Sequence, residues 1–236
     1  MKPLRYLIIL LLTISLLPFY AHAQISRNNQ TEVYFGLGLP MKPETFKDYF
    51  NTGLSLNLQH VIFLTPRIGI PIFAGYEIFT VNTEAIASDF RDLLVGNVFY
   101  DDFGNAYFIE DATLDASGSA SMLKVGIGMR PYLTPPTASL QIFLFGNVSY
   151  NMLKTTYQDK GGNITIVDGL GNYYEVPVEP SEPYEDKENR FGVAAGAGIE
   201  IPLGETFNLI FQGLYHAVFT DDENTTFIGL TAGLIF

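Results

Sequence analysis

The sequence predicts an all-β fold: an eight-stranded, antiparallel, up-and-down transmembrane β-barrel with long extracellular loops, preceded by a cleaved signal peptide. Three observations carry this. Apolar residues alternate with small or polar ones in eight segments, the pattern of a sheet with lipid on one side and a polar lumen on the other. The connections between those segments sort by parity into short and long. The chain opens on an export signal and closes, in mid-strand, on Phe236.

The export signal comes first in the chain. Lys2 and Arg5 form a positive region, Leu7 to Leu17 an apolar run interrupted by Thr13 and Ser15, and Ala21-His22-Ala23 the small-x-small pattern of a cleavage site. The expected cut precedes Gln24, giving a signal peptide over 1–23 and a barrel domain over 24–236. The apolar run is shorter than the roughly 20 residues a membrane helix needs, which speaks against a retained anchor. No cysteine follows the cleavage site, which speaks against a lipoprotein.

An exported domain without disulfides must be held by another device, and a closed ladder of strand hydrogen bonds is one. The chain carries 13 basic and 25 acidic residues; without Lys2 and Arg5 the balance is 11 to 25, a net charge of −14. That charge excludes nucleic acid as an expected partner. Membrane residence has to use strands, and in hydrocarbon only a closed sheet pairs every backbone N–H and C=O.

The eight strands are read at Thr31–Leu39, Gly53–Phe63, Ile68–Phe79, Ser121–Tyr132, Leu140–Leu153, Phe191–Pro202, Phe207–Phe219 and Phe227–Phe236. Phe35, Leu56, Ile72, Val125, Leu144, Val193 and Leu230 are expected to face lipid; Tyr34, Asn57, Glu77, Lys124, Asn151 and Glu200 are expected to face the lumen. Three connections are tight, at Leu64–Arg67, Thr134–Ala138 and Leu203–Thr206, and belong on the periplasmic side with both termini. The outer connections run over Pro40–Asn51, Thr80–Ala120, Lys154–Arg190 and the short Thr220–Thr225. Each of the two longest holds a Gly-Asn turn, Gly104-Asn105 and Gly171-Asn172, flanked by β-formers, and reads as a hairpin above the membrane. Leu64-Thr65-Pro66 recurs as Leu133-Thr134-Pro135, a weak repeat that duplication and the general likeness of barrel hairpins explain equally well.

The signal, the glycine-alternating strands and the terminal Leu234-Ile235-Phe236 resemble the small outer-membrane β-barrel family of OmpX-like, OmpA-barrel-like and PorT-like porin-family proteins, over nearly all of the mature chain. The resemblance implies a bacterial outer-membrane location among lipid and lipopolysaccharide, a monomer, and Phe236 as the signal read by the barrel assembly machinery. No domain is expected after the last strand, a departure from the OmpA type. There is no tryptophan, so tyrosine and phenylalanine must furnish the interfacial girdles, with Tyr132, Tyr150, Phe207, Tyr215 and Phe219 near strand ends.

The residues with chemical potential are the inward charges Glu77, Lys124, Arg130 and Glu200. An eight-stranded bore is just wide enough for side chains to fill, and lone buried charges are costly. The expected arrangement is an internal ion-pair network that plugs the lumen; the alternative is a narrow ion path. Inward glycines at 36, 38, 126, 128, 196 and 198 are expected to make room for Arg130 and Lys124. Lipid A deacylases of this shape use a His with a Ser two positions on; His216 is followed by Ala217 and Val218, and His60 lies near a periplasmic turn. No catalytic, metal or cofactor site is expected. Clustered acids in the outer loops, among them Asp101, Asp102, Glu179, Glu182, Asp221 and Glu223, read as a hydrated surface or as a divalent-cation site. The expected function is a structural, adhesive or partner-binding role through the outer loops. A narrow porin is the first alternative and a soluble lipocalin-like ligand carrier the second.

Overall fold

In the computed structural model, which describes residues 28–203, 207–221 and 223–236, eight antiparallel strands close into a barrel. They are β1 (Gln30–Lys42), β2 (Gly53–Thr65), β3 (Ile68–Thr80), β5 (Ala106–Pro131), β6 (Gln141–Asp168), β8 (Tyr184–Pro202), β9 (Asn208–Val218) and β10 (Thr225–Ile235). Two further strands, β4 (Val98–Tyr100) and β7 (Tyr173–Val178), lie outside the cylinder. The expected export signal, 1–23, lies outside the described residues.

Neighbours in the barrel are neighbours in sequence, apart from β4 and β7, and the ring is completed by β1 on β10, from Glu32↔Ile235 to Lys42↔Thr226. Phe236 extends that closure: its N–H donates to Thr31 O at 2.9 Å, and its carbonyl accepts from Thr31 N–H at 3.2 Å. With no open edge in the cylinder, the backbone needs no water for its hydrogen bonds.

Polarity is inverted relative to a soluble domain. Leu54, Leu56 and Leu58 on β2 are about half exposed or more, as are Phe35 and Leu37 on β1, Val125 and Ile127 on β5 and Val148 on β6. Glu32, Arg130 and Glu200 are fully buried. A lipocalin-like carrier would put its greasy side inward, so this distribution excludes that alternative. Phe207, Tyr215 and Phe219 are exposed near strand ends, where a girdle belongs, and Tyr150 is exposed part-way along β6. Tyr132 is not among them: it shares the inward parity of Lys124 and Arg130 and is buried in the lumen.

The largest departure from expectation is the length of β5 and β6. Their pairing continues from Met129↔Gly146 through the membrane segment and out to Tyr107↔Asp168. β8 follows β6 as far as Tyr184, with Tyr157 opposite. The expected hairpins are present, but one arm of each is a barrel strand carried past the lipid: β4 pairs with β5 at Val98↔Phe108, and β7 with β6 at Val167↔Tyr173. The result is a four-stranded wing in the order β4-β5-β6-β7.

Two helices belong to the outer connections of the described chain. The short α1 (Glu44–Tyr49) sits over the barrel mouth and buries Phe46. The longer α2 (Thr83–Leu94) begins at Asn82, whose side-chain oxygen accepts from Ala85 N–H at 3.3 Å, an ordinary N-cap. It lies against β5, with Arg91 Nε 2.9 Å from Asp111.

Candidate functional site

The lumen is built from alternating inward positions, and its charges form two separate groups rather than one network. Near the periplasmic end, Arg130 Nη1 lies 2.5 Å from Glu32 Oε1 and Nη2 lies 2.8 Å from Glu32 Oε2, a two-pronged pair with both side chains fully buried. Gln59 Nε2 donates to Glu32 at 2.8 Å, and Tyr34 donates its hydroxyl to the same carboxylate while accepting from Arg130 at 2.8 Å. Tyr132 links this cluster to Glu200: its hydroxyl is 3.4 Å from Arg130 and donates to Glu200 Oε2 at 3.0 Å. Asn208 donates to the other Glu200 oxygen at 2.8 Å. The guanidinium also stacks over Phe143, 4.6 Å from the ring centroid, a cation–π contact that strengthens where water is absent.

The second group lies further toward the outer face, where Lys124 Nζ is 2.5 Å from Glu77 Oε1. Beside it His216 stacks flat on Phe227 with ring centroids 4.4 Å apart. The void these residues share with Gln59 and Gln212 holds only about 20 Å³, room for about one water molecule. Glu77 Oε2 and Gln212 Oε1 are buried without a protein partner and line that void, so a single water is the natural occupant.

Of the charges expected in the lumen, Glu77, Lys124, Arg130 and Glu200 all lie there, with Glu77 paired to Lys124. Glu32, the direct partner of Arg130, was missed, although it has the same parity as Tyr34. The expected use of the inward glycines needs correcting. A Cβ on Gly126 would meet the Phe73 ring at 2.6 Å and one on Gly198 would meet Phe143 at 2.3 Å, so these make room for aromatic rings. Among the described glycines Gly75 makes room for a charged side chain: a Cβ there would stand 2.8 Å from Lys124 Cε.

Outside the membrane, the wing ends in two turns of the same design, Asp101-Asp102-Phe103-Gly104-Asn105-Ala106-Tyr107 and Asp168-Gly169-Leu170-Gly171-Asn172-Tyr173-Tyr174. Asp168 Oδ1 accepts from the N–H groups of Leu170 at 2.8 Å and Asn172 at 2.9 Å. Its Oδ2 accepts from Asn172 Nδ2 at 2.8 Å and Tyr174 OH at 3.1 Å. Asp101 accepts the corresponding four bonds from Phe103, Asn105 and Tyr107. Gly104 and Gly171 both stand at φ +82°, a left-handed conformation that side chains resist. The bond from the Asn172 side chain, with the backbone bonds, holds the Asp168 carboxyl down at about 2; Asp101 is lowered by the same means.

These turns thrust Phe103 and Leu170 into water at 90 and 88% exposure. Below them, the cross-strand row Val98–Phe108–Val167–Tyr173 runs over one face of all four wing strands. Three of its members are exposed, and Tyr100 beside them is 70% exposed. The acids around the wing are partly paired: Glu185 lies 2.7 Å from Lys154 and 2.5 Å from Lys187, which pull its carboxyl down to about 2. Among the described residues no three acidic or histidine side chains converge as metal ligands.

A closed antiparallel cylinder with charges inside, hydrocarbon outside and a broad outer elaboration is an outer-membrane β-barrel of the small, eight-stranded class. Among solved structures the chain is similar to Neisserial surface protein A, at 9% identity over 88% of this chain and 95% of that one, TM-score 0.48. It is also similar to the attachment invasion locus protein Ail of Yersinia pestis, solved with the heparin analogue sucrose octasulfate (12% identity, 89 and 100% coverage, TM-score 0.43). A major outer-membrane protein of Thermus thermophilus is a third (11% identity, 89 and 99% coverage, TM-score 0.44). No protein-family model matches the chain, and no curated protein matches it. The class assignment rests on the closed ladder and the inverted polarity, not on these likenesses.

Proposed function

We propose that this barrel is a surface-recognition protein: a closed, lipid-embedded stem that holds the wing outside the cell, where it binds a partner. The observation that carries the reading is the row Val98–Phe108–Val167–Tyr173, three of whose members are exposed, together with Phe103 and Leu170 at the two tips. An exposed apolar strip on a rigid sheet beyond the membrane is costly to leave bare in water and marks an interaction surface. The fixed turns keep it presented. The ion-paired, ring-packed lumen supports a structural rather than a conducting stem.

Adhesion of bacteria displaying the chain tests this. Cells carrying Phe103→Ser, Phe108→Ser and Leu170→Ser together should lose surface attachment at least about tenfold at equal display. Undiminished attachment would end the reading. A narrow pore makes a different prediction: stepwise conductance in planar bilayers that changes in Arg130→Gln. The ion-paired lumen predicts a silent bilayer for the unaltered protein.

A further inference from the structure

We infer that the outer mouth of the barrel binds a small uncharged aromatic molecule, one ring in size, in an apolar cavity beneath α1. This site is independent of the wing. Its volume is about 130 Å³. Phe46, Phe79, Met122, Leu153, Val218 and Phe227 supply most of the wall. No ionisable side chain lines it, and the polar groups there are the hydroxyl residues Ser121, Thr155 and Thr225. The Ser121 hydroxyl is directed to the carbonyl of Lys154 at 3.4 Å.

Three physical points select the ligand. Packed interiors leave few voids larger than a water molecule, so this one stands out from the void beside Glu77, which admits about one water. An apolar cavity of roughly 150 Å³ lined by Leu, Ile and Phe stays dry and takes benzene; the volume and lining here are comparable. The rings around the void offer edges and faces suited to a further ring: Phe46 and Phe79 meet edge-on at 5.0 Å between centroids, and Phe79 and Phe227 at 5.6 Å.

There is also an approach. On the far side of Phe50, a hollow of about 350 Å³ opens to solvent between α1, α2 and Tyr157, lined by Tyr49, Val81 and Ile86. Phe50 is a wall of both spaces. The cover is one short helix, tied to the barrel rim by main-chain bonds from Asn51 N to Thr80 O and Asn82 N to Tyr49 O, both 2.8 Å.

The test uses toluene as probe and the methionine methyl groups as reporters, in protein purified from outer membranes and placed in lipid nanodiscs. Met122 lines the cavity, whereas Met129 and Met152 are on the exposed, lipid-facing side. The Met122 methyl resonance should shift and saturate as toluene is added. Met129 and Met152 should drift linearly, reporting toluene dissolved in lipid. Ala120→Leu and Leu153→Phe, which fill the cavity from two strands, should each weaken the saturable shift more than about tenfold. A Met122 response that stays linear with the other two overturns the inference. So does saturation that survives in either filled variant whose heat-sensitive gel mobility shows a folded barrel. If neither variant folds, the titration of the unaltered protein decides alone.

Discussion

Arg130 carries its charge wholly inside the cylinder, where a carboxylate on β1, two tyrosine hydroxyls and two phenylalanine faces answer it. Removing one partner of a buried pair strands the other, which costs about 3–5 kcal/mol. Glu32→Gln should therefore lower the stability read from urea unfolding of the barrel in detergent by that order. Glu32→Gln combined with Arg130→Met should recover a large part, because neither member of that pair is then left charged without the other. Equal loss in the single and double variants would assign the effect to packing. Lys124, Arg130, Glu77 and Glu200 were legible from period-two alternation. Glu32 obeyed the same alternation but stood at the edge of its segment, and Tyr132 was placed at the lipid boundary from its nearness to a strand end. Strand parity was the better guide for both.

The wing turns make a prediction about acid. The Asp168 carboxyl is held at about 2 against an ordinary 3.8, so the bonds it accepts favour the fold fully above pH 4 and are lost as the pH falls through about 2. Amide exchange at Leu170 and Asn172 should therefore accelerate between pH 4 and pH 2, beyond the intrinsic pH dependence of exchange. Asp168→Asn should flatten that extra step, and an unchanged profile would remove the carboxylate from the explanation. Gly171 offers a second handle: at φ +82° a side chain is strained, and Gly171→Val should destabilise the tip by roughly 1–2 kcal/mol, read as faster exchange confined to β6 and β7. The Gly-Asn turns themselves were readable. The outward run of β5 over Ala106–Ala120 was not, because above the lipid a strand meets water on one face and only the partial cover of α2 on the other, so its apolar residues do not alternate. Six-residue α1 is too short to show a helical period.

At the scale of the molecule, the chain divides into a lipid-embedded stem and an exposed wing, and the division can be mapped. The protein has no cysteine, so a single introduced thiol is unique. Thr113→Cys and Asn163→Cys, on the exposed wing, should react with a membrane-impermeant maleimide on intact cells, and Val125→Cys, facing lipid, should not. Labelling of all three alike would dissolve the division. The eight-strand count, the parity of the connections and the inward charges Glu77, Lys124, Arg130 and Glu200 were visible in advance, because a hydrocarbon solvent imposes strict alternation on every crossing segment. The wing's apolar strip and the mouth cavity were not, because both depend on which distant strands the closure brings together.

Heat-modifiable gel migration of protein extracted from outer membranes addresses the central claim most directly. A closed lipid-facing barrel keeps its compact form in cold detergent and should run ahead of the boiled chain. Identical migration before and after boiling, or recovery of the protein in the soluble fraction without detergent, would contradict it.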